Sequence, residues 1–378
     1  MSSQTALPRA CAVIDLDAVR ESVAALVARA GDAATMAVVK ADGYGHGMLP
    51  CARAALEAGA TWLGVAFLEE ALALRAAGIT APVLFWLASP GEAFADALAA
   101  DVDVSASAGW ALDEIAAAAR QVGRPARVHL KVDSGLGRAG ATAEDWPSLC
   151  DAAAALESEG LIRVVGVWSH FAFADAPGHP TVQGQISRFT DAVAAAEKAG
   201  LRPEVRHLAN SAATLVSPEA HFDMVRPGVS VYGLSPGPEV GPPSAFGLRP
   251  AMTLRARASL VKRVPAGTGV SYAHRYTTAA ETTLALVPLG YADGIPRAAT
   301  NTAEVLIGGR RRRIAGTVCM DQFVLDVGDD PVRAGDEVVL FGPGDAGEPT
   351  ADDWAAALGT INYEIVTRVG ARVPRVYV

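Results

Sequence analysis

Eight short apolar runs, at 35–40, 61–67, 83–86, 102–106, 127–133, 163–170, 204–208 and 222–226, alternate with alanine-rich segments of helical period. A run of four to eight apolar residues reads as a buried strand, and strands separated by amphipathic helices pair in parallel, because each crossover returns the chain to the same end of the sheet. Eight such units are the number that closes a (β/α)8, TIM-like barrel of the α/β class. Alternation alone leaves an open doubly wound sheet as an alternative. The intervening segments carry the right spacing, with Ile186, Phe189 and Val193 on one helical face. A lead-in strand at 10–16 and a helix starting near Asp17 precede the first unit.

From Pro236 to Pro250 the texture turns to proline, glycine and serine, which marks a domain boundary. Beyond it Met252, Leu254, Ala256, Ala258 and Leu260 alternate with polar residues, the period of a half-buried strand. Further strand-like runs fall at 283–287, 304–307, 323–327 and 337–341. We therefore expect a barrel in residues 1–243 and a mostly β C-terminal domain in residues 244–378.

Composition narrows the function classes. Apolar residues make up 51% and charged residues 19% of the 378, with alanine supplying much of the apolar excess. No apolar run approaches the ~20 residues that span a bilayer, and the chain does not open on a cationic segment followed by an apolar block, so we expect a cytoplasmic protein with no membrane partner. A net charge of −9 argues against a nucleic-acid partner. The one basic cluster, Arg310 to Arg313 after Gly308-Gly309, reads as a solvated hairpin tip. Cys11, Cys51, Cys150 and Cys319 are isolated and no histidine or cysteine grouping has zinc spacing, so we expect reduced thiols and no metal centre.

Active sites of such barrels are assembled at the C-terminal ends of the strands. Lys40 ends the first run, Asp133 the fifth, His170 the sixth and Arg226 the eighth, while Asn210-Ser211 follow the seventh. A lysine leaving a dry strand has a lowered pKa, so its amine becomes nucleophilic enough to form an imine with an aldehyde cofactor. Gly43, Gly45 and Gly47 around Tyr44, and Gly135-Leu136-Gly137-Arg138 after the fifth run, would let backbone amides approach an anion such as phosphate. Taken singly, each has a plainer reading: a lysine snorkelling from a strand end, a capped histidine, a surface ion pair.

Together the blocks resemble the alanine racemases, pyridoxal phosphate enzymes built as a barrel followed by a β domain. The likeness runs through Val39-Lys40-Ala41-Asp42-Gly43-Tyr44-Gly45-His46-Gly47, Lys131-Val132-Asp133-Ser134-Gly135-Leu136-Gly137-Arg138, Ser169-His170-Phe171-Ala172, Asn210-Ser211-Ala212 and Val225-Arg226-Pro227-Gly228. It continues through Val270-Ser271-Tyr272, Gly290-Tyr291-Ala292-Asp293-Gly294, Cys319-Met320-Asp321 and Asn362-Tyr363-Glu364.

The resemblance implies an isomerase that interconverts L- and D-alanine on pyridoxal 5′-phosphate by a two-base mechanism, supplying D-alanine for peptidoglycan. It makes Lys40 the cofactor's attachment point and one proton carrier, and Tyr272 the opposed carrier. A phenol with its ordinary pKa of ~10 is a poor base at neutral pH, and the resemblance places His170 and then Arg226 behind it. Arg226 also faces the pyridine nitrogen, donating a hydrogen bond without giving up its proton. Phosphate contacts fall to Tyr44, Ser211, Gly228, Val229 and Tyr363. Arg138 and Met320 face the substrate carboxylate, with Asp321 in the same pocket and Tyr291 along a narrow entrance. Lys131 matches a position often carbamylated in the family. The resemblance further implies a homodimer in which Tyr272 enters the partner's site.

Ser134, Gly137 and Trp168-Ser169 depart from frequent family choices without removing a reactive group, and leave open whether serine is also a substrate. Two other readings carry less of the pattern. A basic amino-acid decarboxylase of the same architecture wants an acidic partner at the pyridine nitrogen, where Arg226 stands. A non-catalytic cofactor-binding barrel would not need Tyr272 and Met320-Asp321.

Overall fold

The computed structural model describes residues 8–378. Residues 1–7, part of the opening read above as lacking a cationic leader, lie outside the described residues. The chain divides into two compact units.

The larger unit, Val19–Gly43 with Met48–Arg249, holds the barrel. With β1 (Ala10–Ile14) counted first in the chain, its strands are β2 (Ala34–Val38), β3 (Trp62–Val65), β4 (Val83–Phe85), β5 (Asp103–Ala106), β6 (Ala126–Lys131), β7 (Ile162–Trp168), β8 (Val205–His207) and β9 (Met224–Val225). Each pairs in parallel with its sequence neighbour from β2 to β8, and β9 returns to pair with β2. Between β8 and β9 the circle is drawn together by single backbone bonds, Asp223 N–H to Arg206 O (3.1 Å) and Arg226 N–H to Ala209 O (2.9 Å). All eight apolar runs are strands, each ending within a few residues of its expected limit. Met36, Leu84 and Met224 meet in one apolar cluster. The helix Pro180–Lys198 buries Phe189 and Val193, as their spacing requires.

The second unit contains β1, the short segment Tyr44–Gly47 and Pro250–Val378. The sequence puts the break after residue 243, whereas the packing divides the chain after Arg249. β1 joins a six-stranded sheet between Met252–Arg257, antiparallel, and Arg375–Tyr377, parallel. A second, three-stranded sheet is formed by Leu260–Val264, Thr282–Val287 and Phe323–Gly328. Met252–Arg257 and Phe323–Gly328 alternate buried and half-buried positions, which is the period-two pattern in the sequence. The alternation breaks after Ala258, so Leu260 is exposed at the start of a new strand.

One expectation is corrected. Arg310–Arg313 are not a hairpin tip: Gly308-Gly309 form the tip, both at positive φ, and the four arginines are the returning edge strand against Glu304–Ile307. Arg312 and Arg310 pair with Asp330, and Arg311 with Asp353, so charge along this edge is matched and the edge is guarded against further pairing. All four cysteines are free thiols.

Candidate active site

At the end of β2, two buried valines, Val38 and Val39, lead to Lys40, and the backbone then turns the wrong way for L-residues. Ala41, Asp42 and Gly43 have φ of 52, 52 and 61° with ψ of 51, 47 and 45°, and Tyr44 follows at φ 52°. A left-handed turn costs each residue bearing a Cβ about 1–2 kcal/mol. It persists because its groups are individually held: Gly43 N–H bonds Val39 O (2.9 Å), Ala41 N–H bonds Glu70 Oε1 (2.6 Å), and Asp42 Oδ1 accepts from Met48 N–H (2.8 Å). Gly43 serves this turn, its amide already taken by Val39 O, and Gly45 serves close packing. A Cβ on Gly45 would stand 2.5 Å from Val366 O, and Arg375 Nε donates to Gly45 O at 3.0 Å.

Lys40, Lys131, Arg138, His170 and Arg226 form one electrostatic cluster at the C-terminal ends of the barrel strands. Burial, then Arg138, lowers the Lys40 amine from its ordinary value, against an opposing pull from Glu70. Burial pushes Lys131 down to about 7, helped by Arg226 and Arg138. His170 is held well below its usual value by burial and then by Arg226 and Arg138, so its ring is neutral. Arg226, 5% exposed, is lowered by burial to about 9 and keeps its charge at neutral pH. Trp168 supplies a π face to two of these cations: Lys131 Nζ lies 4.0 Å and Arg226 Cζ 4.8 Å from its ring centre. Lys40 Nζ stands 5.9 Å from the centre of Trp86.

Arg226 donates to His207 Nδ1 (3.0 Å), Ser169 O (2.7 Å) and Leu208 O (3.3 Å), with a longer contact to His170 Nδ1 at 3.4 Å. The pairing of His170 with Arg226 expected from sequence is therefore present. Ser134 and Ser169, two of the unusual residues, bond each other through their hydroxyls at 2.8 Å. The loop after β6 differs from expectation: Asp133 accepts the amides of Gly135, Leu136 and Gly137 at 2.9 to 3.2 Å. Those glycines serve the aspartate, whose carboxyl they hold below its usual range against the burial that raises it. Ser211 Oγ accepts Gly228 N–H at 2.8 Å and Ser230 N–H at 3.4 Å, binding the start of the helix Ser211–Val216 to that of the 3₁₀ turn Val229–Tyr232.

In the β unit Tyr272 is 72% exposed on a strained segment: Ser271 has φ 62° and ψ −169°, Ala273 φ 59° and His274 φ 44°. Thr317 fixes it from both ends, its carbonyl accepting from Ser271 Oγ (2.6 Å) and its hydroxyl donating to Tyr272 O (2.7 Å). Tyr291, Met320 and Asp321 come together. Tyr291 N–H bonds Cys319 O (3.0 Å), and Ala292 N–H bonds Met320 O (2.9 Å). Arg372 ties Asp321 (2.8 Å) to Asp293 (3.2 Å), a fully buried carboxylate that also receives Gly290 N–H. The rings of Tyr44 and Tyr363 lie 6.1 Å apart in the same unit.

The sequence pattern described as alanine racemase, N-terminal domain, matches residues 14–236, and that described as alanine racemase, C-terminal domain, matches 251–377. The chain belongs to the alanine racemase family. It is 85% identical over 370 residues to an alanine racemase of Frankia casuarinae, covering 98% of this chain and 96% of that protein. It is 61% identical to one from Streptomyces coelicolor, covering 99% and 97%. The crystal structure of alanine racemase from D-cycloserine-producing Streptomyces lavendulae superposes with a TM-score of 0.97 at 60% identity, covering 98% of this chain and 97% of that one.

Several residues of this alanine racemase fold escaped the sequence reading: Glu70 behind Lys40, the Thr317 clamp, Arg372, and His129 and His207 inside the barrel; the sequence marks Trp168 only as an unusual residue, not as a π face for cations. The histidines did carry a signal, being polar residues within the apolar runs 127–133 and 204–208. Among the described residues no helix is long and apolar enough to cross a membrane, and no cluster of histidine, cysteine or carboxylate side chains is arranged to hold a metal ion.

Proposed function

We propose that the chain racemises alanine, the reaction its family is named for, on pyridoxal 5′-phosphate, with Lys40 and Tyr272 as opposed proton carriers. The observation that carries the reading is the cationic cluster at the strand ends, in which Lys131 and Arg226 are buried, Lys40 is half-buried and Arg138 is exposed. Arg226, Arg138 and Lys40 all bear on Lys131, and Arg138 on Lys40, against opposing pulls from Asp133 on Lys131 and Glu70 on Lys40. Two buried cations with two more beside them call for an anion, and a phosphorylated aldehyde brings both that charge and a partner for an amine of lowered pKa. The donor set therefore fits the cofactor. Bound, it supplies an electron-withdrawing ring that spreads the charge left when alanine loses its Cα proton.

Lys40 Nζ attaches the cofactor and, when free, takes or returns a proton on one face. The Tyr272 hydroxyl does so on the other, which supports a homodimer in which the phenol, exposed on a pinned segment, serves the partner. Arg226 donates toward the pyridine nitrogen and retains its proton. Tyr44, Ser211 and Tyr363 through their hydroxyls and Val229 through its amide hold the phosphate, with Gly228 acting through the Ser211 hydroxyl to which its N–H donates. Arg138 and the Met320 amide orient the alanine carboxylate, and Asp321 and Tyr291 narrow the access. Lys131, its amine lowered by burial to about 7, is in part in the neutral form that reacts with carbon dioxide, and as a carbamate would present an anion to Arg138. The site of action is the cytoplasm.

The test is to load the enzyme, reduce it with borohydride and map the peptides. The pyridoxyl label is expected on Lys40, with no racemisation by Lys40→Ala. A label elsewhere, or a protein that takes up no yellow cofactor, ends this reading.

A further inference from the structure

Beneath the cationic cluster, the barrel interior contains a second polar system. Asp103, His129 and His207 are 2%, 0% and 0% exposed, on β5, β6 and β8. Arg226 Nη1 meets His207 Nδ1 at 3.0 Å, His207 Nε2 meets His129 Nδ1 at 2.9 Å, and His129 Nε2 meets Asp103 Oδ2 at 3.2 Å. At the far end Arg127 grips the same carboxylate through Nε (2.8 Å) and Nη2 (3.2 Å).

The proton positions follow from one fact of valence. A guanidinium has donors and no acceptor, so His207 Nδ1 must accept and a neutral His207 carries its proton on Nε2. That proton points at His129 Nδ1, which must then accept in turn. His129 therefore carries its proton on Nε2, pointing at a carboxylate that accepts. Every bond in the line runs the same way, from Arg226 to Asp103. A second proton on either ring would set two donors head to head in the dry core.

The backbone is shaped around this line. The β6–β7 register slips between Val128 and His129, which places Gly166 opposite His129. A Cβ at Gly166 would overlap the His129 ring. Trp62 meets His129 edge-on at 5.6 Å, and Trp168 stacks flat on His207 at 5.7 Å with 3° between the planes. Apolar packing requires no bulge and glycine to admit an imidazole at the centre of a barrel.

We propose that Asp103, His129 and His207 are positioning residues for the racemase reaction, an oriented relay that fixes Arg226 and keeps both rings as neutral Nε2–H tautomers. Held by His207, Ser169 and Leu208, the guanidinium also faces His170 Nδ1 at 3.4 Å, and it has donors only. That leaves the His170 proton on Nε2, as a donor for the phenol assigned above. The inference rests on the function proposed for Arg226, Lys40 and Tyr272.

Two experiments on the holoenzyme test it. In protein labelled with 15N-histidine, which has seven such residues, long-range 1H–15N spectra report each tautomer. His129→Gln and His207→Gln assign the signals. Neutral Nε2–H rings at both positions are expected, and an Nδ1–H or doubly protonated ring at either overturns the relay. In kinetics, Asp103→Leu removes the terminal acceptor and is expected to lower kcat about tenfold while KM for alanine stays within about twofold. Asp103→Asn, which retains an acceptor oxygen, is expected to restore most of it. Unchanged kcat in a folded Asp103→Leu, or kcat and KM moving together in both variants, overturns the proposal. If Asp103→Leu does not fold, the tautomers alone decide. A protein that binds no cofactor would sink the Lys40 assignment and leave the ring protons where they are.

Discussion

A lysine packed at 4.0 Å over an indole and among other cations, as Lys131 is, makes stability depend on pH in a definite direction. Its amine titrates at about 7 folded and near its ordinary 10.5 unfolded. Between those values the unfolded chain binds more protons, so from this group stability rises as pH climbs from about 7 toward 10.5, and its penalty is fully present below about 7. The swing is on the order of a few kcal/mol, reduced by the cation–π contact. Lys131→Met is expected to flatten that slope in urea melts at a series of pH values. If Lys131 is carbamylated, 13C-bicarbonate adds a carbamate resonance that this variant lacks. The sequence marked Lys131 by family likeness alone. Its low pKa comes first from burial and then from Arg226, Arg138 and Lys40, none of which a local reading of residues 127–133 supplies.

Among elements, the two strained turns are the places where local sequence preference is overruled. Ala41 stands in the left-handed region, and Ala41→Gly removes a cost of about 1–2 kcal/mol while adding back ~0.5–1 kcal/mol of unfolded-chain entropy. We expect a slight gain in melting temperature and, where the turn only has to hold Lys40 in place, unchanged turnover. At the other turn Thr317→Val removes the hydroxyl donor to Tyr272 O. A loss of about 1 kcal/mol in stability is expected, with a larger fall in kcat than in the affinity for cofactor. Equal kcat in the variant would show that the Tyr272 segment holds its shape without Thr317. A Gly166→Ala exchange overpacks the barrel by about 1–3 kcal/mol, readable as a lowered urea midpoint.

For the molecule as a whole, the question is whether one chain completes a site. Mixing Lys40→Ala with Tyr272→Phe subunits gives a decisive count: if each phenol serves its partner, a verified mixed dimer contains one site with both lesions and one with neither, and about half the wild-type activity returns. No recovery means that the site is assembled within a single chain.

The sequence by itself determined the architecture, since eight apolar runs of strand length separated by helical periods have few ways to bury themselves, and it supplied the candidate site residues, Lys40, Asp133, His170 and Arg226 from their place at strand ends and Tyr272 from family likeness. Where the first strand went was decided in three dimensions: β1 is as apolar as any barrel strand, yet it pairs with Met252–Arg257. The amides of Gly43, Gly135 and Gly137 looked free for an anion until their partners, Val39 O and the Asp133 carboxylate, were known. His129 and His207 read as single polar interruptions in two runs 78 positions apart, and only closure of the barrel brings their rings to 2.9 Å. Periodicity is a property of neighbours along the chain, and it survives in the sequence. Hydrogen-bond direction, desolvation and charge coupling belong to neighbours in space, and exist only once the chain has folded.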